Sequence, residues 1–274
     1  TAHLAADAGV MVTASHNPID YNGIKMVRAE SRPISGDNGL LEIKALAESQ
    51  AWTAAPRGSL RREDPRADYA ARVLSFVDIA KLRPLKILVN AGHGSAGPAF
   101  DVIAAQLAEA GAPLEFVRIH HTPDGSFPQG IPNPLLPENQ PQTAEAVRAH
   151  GADFGVAWDG AFDRCVLFDE TGAFIDGEYI VGLLAAAVLP NEPVSRIVHD
   201  PRVMWNTLDV VARGGGEAVV SRTGHALIKA RMREVDAVYG GEMSAHHYFR
   251  NFMYCDSGML PWLLVAEHMG ATGQ

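Results

Sequence analysis

The sequence predicts an α/β protein built from successive layered units. Short apolar runs such as Ile87-Leu88-Val89 alternate with stretches whose apolar residues recur at helical spacing. Polar, glycine-containing turns follow several of those runs, at the strand ends where α/β folds place their ligands. The 274 residues are 47% apolar and 20% charged, a folded rather than a disordered composition. At about 100–200 residues per domain, that length suits two domains or three small ones.

The elements follow in order. Gly9-Val10-Met11-Val12 reads as a buried strand, and Gly23-Ile24-Lys25-Met26-Val27 as a second strand. Gly39 to Glu48 has helical spacing through Leu40, Ile43 and Leu46, and the charged stretch Arg61 to Pro65 marks a first boundary. A second unit, 67–174, opens with a helix from Tyr69 to Ile79 and a strand from Leu85 to Val89. A glycine-rich turn from Gly92 to Gly97 leads into a helix from Phe100 to Ala110. The proline-rich stretch from Thr122 to Pro141 reads as a long loop. A helix near Thr143–Ala149 and a strand from Phe154 to Trp158 follow it. The last unit, 175–274, alternates again. Its helices are Tyr179–Val188, Trp205–Ala212, His225–Glu234 and Gly258–His268; its strands are Ile197–His199, Ala218–Ser221 and Ala237–Tyr239. The shared rhythm of the last two units suggests related domains.

Composition removes whole classes of function. With 23 basic and 32 acidic residues the chain carries a net charge of −9, which argues against nucleic acid and anionic membrane as partners. The longest apolar run, Val181 to Leu189, is far short of the roughly 20 residues of a membrane span. Only Cys165 and Cys255 occur, with no Cys-x-x-Cys pair, so neither a disulfide scaffold nor a zinc ribbon is expected. Free thiols without a signal peptide suggest a cytoplasmic protein. Thr1 in place of an initiator Met, and an ending directly after a helix, suggest a piece of a longer protein. Oligomeric state is left open.

Three strand-end loops carry the chemistry. Thr13-Ala14-Ser15-His16-Asn17-Pro18 could present Ser15 as an accessible nucleophile; its composition equally suits an ordinary turn. Asp159-Gly160-Ala161-Phe162-Asp163-Arg164 sets two carboxylates on a glycine-containing turn, suited to Mg²⁺, with Arg164 beside them for a phosphate. A solvated β-turn has the same pattern. In Gly241-Glu242-Met243-Ser244-Ala245-His246, Glu242, Ser244 and His246 alternate, so an extended backbone would turn all three to one side, towards sugar hydroxyls. The turn from Gly92 to Gly97 has G-x-G-x-x-G spacing, which suits either a dinucleotide or close helix–strand packing.

Taken together, these loops resemble the α-D-phosphohexomutase family. Thr13 to Pro18 with Asp20 to Lys25 is similar to its phosphoserine loop, Asp159 to Arg164 to its metal loop, and Gly241 to Ser244 with His246 to its sugar-recognition loop. Thr223-Gly224-His225 with Lys229 is similar to a further segment. Gly130 to Asn139 and Ser244 to Phe249 most resemble its bacterial phosphomannomutase branch.

The resemblance implies mixed three-layer α/β domains around a central cleft. Residues 1–66 would be the later part of the phosphoserine-loop domain, 67–174 the metal-loop domain and 175–274 the sugar-recognition domain. The family's fourth, phosphate-binding domain has no counterpart in the sequence. The implied activity is interconversion of mannose 6-phosphate and mannose 1-phosphate through a phosphoserine at Ser15, with a hexose 1,6-bisphosphate as intermediate and activator. Asp159, Asp163 and Ser15 would hold Mg²⁺. Lys25 and Arg164 would neutralise phosphoryl charge, with Lys25 also a candidate acid or base. His16 adjoins the nucleophile, and His246 would move a proton. Glu242 and Ser244 would read sugar hydroxyls, while Arg202 and His225 would orient the phosphorylated hexose. One departure stands out: Ala161 occupies the place of the family's middle metal-loop aspartate, which implies impaired activity. The other expectations are a non-catalytic sugar-phosphate-binding fragment or homologue, and a serine-nucleophile, metal-dependent phosphatase.

Overall fold

Three separate sheets organise the protein, as seen in a computed structural model that describes residues 1–273. The first is a small antiparallel meander of β1 (Ala8–Val12), β2 (Ile24–Arg28) and β3 (Arg32–Pro33), followed by α1 (Leu40–Ser49). Its first strand corrects an expectation. Val10 and Val12 are 67% and 70% exposed, not buried. The strand is stabilised by its ladder to β2, from Ala8 opposite Arg28 to Val12 opposite Ile24, and not by burial of its apolar side chains.

The second sheet begins after α2 (Arg66–Leu74), which is shorter than the helix expected to Ile79. Ser75 Oγ donates to the Arg72 carbonyl, and Asp78 starts a separate 3-10 turn by accepting from Ala80 N–H. Then come β4 (Leu85–Asn90), α3 (Ala96–Glu109), β5 (Leu114–Ile119), α4 (Gln140–His150), β6 (Phe154–Trp158), β7 (Cys165–Phe168) and β8 (Phe174–Ile175). The order is β5-β4-β6-β7-β8, with β4 parallel to β5 and β6 and the last two pairings antiparallel. β6 is buried along its whole length, and β4 at every residue but Lys86, because both faces are covered.

The glycine-rich turn is explained by packing. Gly97 lies inside α3, where a side chain would collide with the His121 carbonyl, and a Cβ on Gly94 would meet Gly160 at 2.8 Å.

The third sheet repeats the second. After α5 (Gly177–Val188) come β9 (Arg196–His199), α6 (Met204–Arg213), β10 (Glu217–Val220), α7 (His225–Val235), β11 (Tyr239–Gly241), β12 (His247–Phe249), β13 (Cys255–Asp256) and α8 (Leu260–Thr272). The order β10-β9-β11-β12-β13 has the same sequence of parallel and antiparallel pairings. The shared rhythm is thus a shared topology.

One core joins these two units. Trp262 of α8 is fully buried, with its ring centroid 5.7 Å from Phe100 and 5.8 Å from Phe116 of the second unit. Trp158 Nε1 donates to the Gly258 carbonyl at 2.7 Å. Residues from both units belong to one continuous cluster, which fixes the second and third strand-end loops relative to each other. Among the described residues, no helix is long and apolar enough to cross a membrane.

Candidate active site

The loop after β1 is held by its own polar atoms. Thr13 N–H donates to the Gly23 carbonyl at 2.9 Å, and Thr13 Oγ1 accepts from Ser15 N–H at 3.0 Å. These bonds hold Ser15 at φ +51°, a left-handed conformation that carries strain of order 1–3 kcal/mol in a non-glycine residue. The loop after β6 faces it. Ser15 Oγ donates to Asp159 Oδ2 at 2.9 Å and lies 3.2 Å from His16 Nδ1. Gly160 permits the approach, since a side chain there would strike the Ser15 carbonyl.

Asp159 is fully buried, and its other oxygen accepts from Arg164 N–H at 3.2 Å. Burial, and then Asp163, raise its pKa above the usual carboxylate range. Asp163 behaves oppositely. Burial disfavours its charge, yet the hydrogen bond to His246 and the Lys25 ammonium hold its pKa well below that range. Lys25 Nζ donates to Asp163 Oδ2 at 2.8 Å. Burial works against the Lys25 charge, but Asp163 outweighs it and leaves the pKa raised. The His16 pKa is lowered by burial and then by Arg164.

The third loop completes the cluster by a different backbone from the one expected. Glu242 to His246 is a tight turn between β11 and β12, not extended chain. Ala245 N–H donates to the Glu242 carbonyl, Glu242 N–H donates to the His246 carbonyl, and Ala245 sits at φ +63°. The turn still gathers the three side chains. His246 Nδ1 lies 3.1 Å from Ser244 Oγ and 3.5 Å from Glu242 Oε2, and its Nε2 lies 3.8 Å from Asp163 Oδ2. Glu242 is buried, accepting from Gly224 N–H at 2.7 Å and from Tyr248 OH at 2.6 Å. Each carboxylate oxygen therefore keeps a lone pair.

A cleft of about 670 Å³ opens at this junction, lined among others by Lys25, Ala161, Asp163, His225, Lys229 and Asp256. Lys25, Asp163 and His225 are the expected site residues that line it, and Arg202 does not. Its backbone N–H and guanidinium both donate to Asp200, and Asp200 also accepts from Met243 N–H of the third loop. The His225 pKa is lowered by burial and then by Lys229.

Sequence reading passed over Asp256, Asp200 and Tyr248. Asp256 accepts from Lys229 Nζ at 2.6 Å and lies in a Cys-Asp-Ser-Gly strand end, the same signature that marked the other loops. Asp163, His246 and Asp256 bring ligand-type atoms within 4.8 Å of one another. Lys25 and Lys229 already pair with the two carboxylates.

The residues present fit a small hard cation. Asp159 offers an oxygen beside Ser15 Oγ, and Asp163 Oδ1 is buried without a hydrogen-bond partner. Ala161 contributes none.

Residues 1–53, 67–172 and 176–274 match, in order, the alpha/beta/alpha domains I, II and III of phosphoglucomutase/phosphomannomutase. A phosphomannomutase of Salmonella montevideo is 58% identical over 277 residues, covering 100% of this chain and 61% of the relative. One from Salmonella typhimurium is 59% identical over 270 residues, covering 97% of this chain and 59% of the relative. The crystal structure of a phosphoglucomutase/phosphomannomutase family protein from Burkholderia thailandensis is 32% identical with a TM-score of 0.86, covering 97% of this chain and 56% of that one. The chain spans about three fifths of the length of the curated relatives it matches.

Proposed function

The chain belongs to the phosphoglucomutase/phosphomannomutase family, and from that premise we propose that it carries the phosphoryl-transfer centre of a phosphomannomutase. The observation that carries the reading is the meeting of Ser15 Oγ with Asp159 beside the Lys25–Asp163 pair. Phosphorylated Ser15 gives its phosphoryl group to a free hydroxyl of mannose 1-phosphate or mannose 6-phosphate. The bond from phosphorus to Oγ breaks as the bond to the sugar oxygen forms; the hydroxyl proton passes to His246, and Lys25 gives a proton to the departing Ser15 oxygen. The 1,6-bisphosphate turns round, and Ser15 takes back the phosphoryl group from its other end. Phosphoryl transfer of this kind rests on positioning and charge neutralisation.

Lys25 and Arg164 supply fixed positive charge at the Ser15 loop. Asp159, Asp163 and Ser15 are the residues that would hold Mg²⁺, whose contribution when bound is to neutralise phosphoryl oxygens. Glu242 and Ser244 read hydroxyls that stay in place as the sugar turns, while His225 and Arg202 orient its phosphate. The division into 1–66, 67–174 and 175–274 belongs to the same proposal.

A second reading has its own observation. Ala161 removes one expected ligand, which favours a chain that binds sugar phosphates with little turnover. Phosphorus NMR of the protein with mannose 1-phosphate, Mg²⁺ and a trace of hexose 1,6-bisphosphate separates the readings. Mannose 6-phosphate appears for a mutase, inorganic phosphate for a phosphatase, and neither for a binding protein.

A further inference from the structure

Tyr248 reaches three of the sugar-side groups from behind. It is fully buried on β12, the strand that leaves the third loop. Its hydroxyl donates to Glu242 Oε2 at 2.6 Å. Its ring lies nearly parallel to the His246 imidazole, with centroids 6.2 Å apart and planes 13° apart. The Lys229 ammonium sits 5.6 Å from the ring centroid. Glu242, held by Tyr248 through one oxygen, accepts Gly224 N–H through the other and so ties its loop to the segment that opens α7 with His225.

We propose that Tyr248 is the positioning residue of sugar recognition, registering Glu242, His246 and Lys229 against one another from a single buried side chain. The inference rests on the sugar-phosphate reading of this cleft. A carboxylate that must meet sugar hydroxyls has to be held within a fraction of an ångström. Glu242 has three rotatable bonds before its oxygens, so two converging donors are what hold it. The phenol is suited to one of those places. It donates a single hydrogen bond, leaves the second lone pair of Oε2 free, and presents a flat face on either side. Phenylalanine would keep the faces and lose the fastening, which makes the two roles separable.

The test compares the parent chain with Tyr248→Phe by two readouts. The first needs no ligand: hydrogen exchange at the Gly224 amide, whose acceptor is Glu242. Loss of the phenol should speed that exchange at least about tenfold, the equivalent of one charge-assisted hydrogen bond, while the β11–β12 amides keep their protection. The second is calorimetric affinity for mannose, glucose and galactose 1-phosphates, each taken relative to inorganic phosphate. That ratio should fall about tenfold for the preferred sugar, because the phosphate contacts remain and the hydroxyl contacts lose their register. If Tyr248→Phe does not fold, Tyr248→Met, which also removes the phenol donor while leaving Glu242 in place, serves for both readouts. Unchanged Gly224 exchange, or lowered stability with an unchanged sugar-to-phosphate ratio, overturns the proposal. A parent chain that binds all three sugar phosphates no better than inorganic phosphate refutes the cleft's sugar reading, while Gly224 exchange still decides whether Tyr248 positions Glu242.

Discussion

Ser15 Oγ donates a 2.9 Å hydrogen bond to Asp159 Oδ2 across 144 positions of sequence. The serine sits on an exposed three-stranded meander, and the aspartate at the buried end of β6. That single contact turns two ordinary strand-end turns into one site. Asp159 lies between a hydroxyl on one side and the backbone of its own loop on the other, so the Ser15 hydroxyl is held against a buried carboxylate.

The metal loop gives the first prediction. Two carboxylates and a serine oxygen leave an octahedral cation to complete its shell with neutral waters. Ala161→Asp should therefore raise Mg²⁺ or Mn²⁺ affinity at least about tenfold, roughly 1.4 kcal/mol. In the absence of metal the same change should lower stability slightly, because a third carboxylate crowds Asp159 and Asp163. Calorimetric titration of both forms checks it; equal affinities would mean that another oxygen already fills the place.

The shared core gives the second. Trp262 is fully buried on α8 and packs against Phe100 and Phe116 of the other unit. Truncating a buried Trp to Ala costs about 3–5 kcal/mol in a core that relaxes only partly. Trp262→Ala should lower the urea midpoint of both units together, in one transition. Two separated transitions in the parent protein would show that the second and third units do not share their stability.

Acid stability gives the third. His247 is buried beside Tyr239, whose hydroxyl lies 2.8 Å from Nδ1, and its pKa is lowered from 6.5 to about 3 by burial and then by His246. Between those values the unfolded chain binds a proton that the folded chain does not. The contribution is fully present above the unfolded value, and stability falls as pH drops towards the folded one, with a slope approaching about 1.4 kcal/mol per pH unit. Urea midpoints at about pH 7 and about pH 5 should fall less for His247→Asn than for the parent. An equal fall in both would remove His247 from the acid response.

Much of this was legible in the sequence because the chemistry is concentrated in contiguous loops. Ser15 with His16, Asp159 with Asp163 and Arg164, and Glu242 with Ser244 and His246 each announce themselves within a few residues. β6 and the Ile87–Val89 stretch of β4 are uninterrupted apolar runs that nothing else explains. β5 gives only a weak signal because none of its side chains is fully buried, and Glu115 and Arg118 stand exposed among partly buried apolar neighbours. β1 was misjudged because apolarity states what a side chain prefers, not what packs on it. Tyr248 and Asp200 carry no signal by themselves: Tyr248 acts through Glu242 across the turn that precedes its strand, and Asp200 through the Met243 amide of a loop far along the chain. The Glu242 turn was misread because alternation fixes a common side only while the backbone stays extended.

The central claim is that Ser15 carries a covalent phosphoryl group, and intact mass of the protein before and after incubation with a hexose 1,6-bisphosphate and Mg²⁺ tests it most directly. The account predicts one added phosphoryl group, mapped to the peptide containing Ser15 and absent from Ser15→Ala. A label on any other residue, or equal labelling of Ser15→Ala, would contradict it.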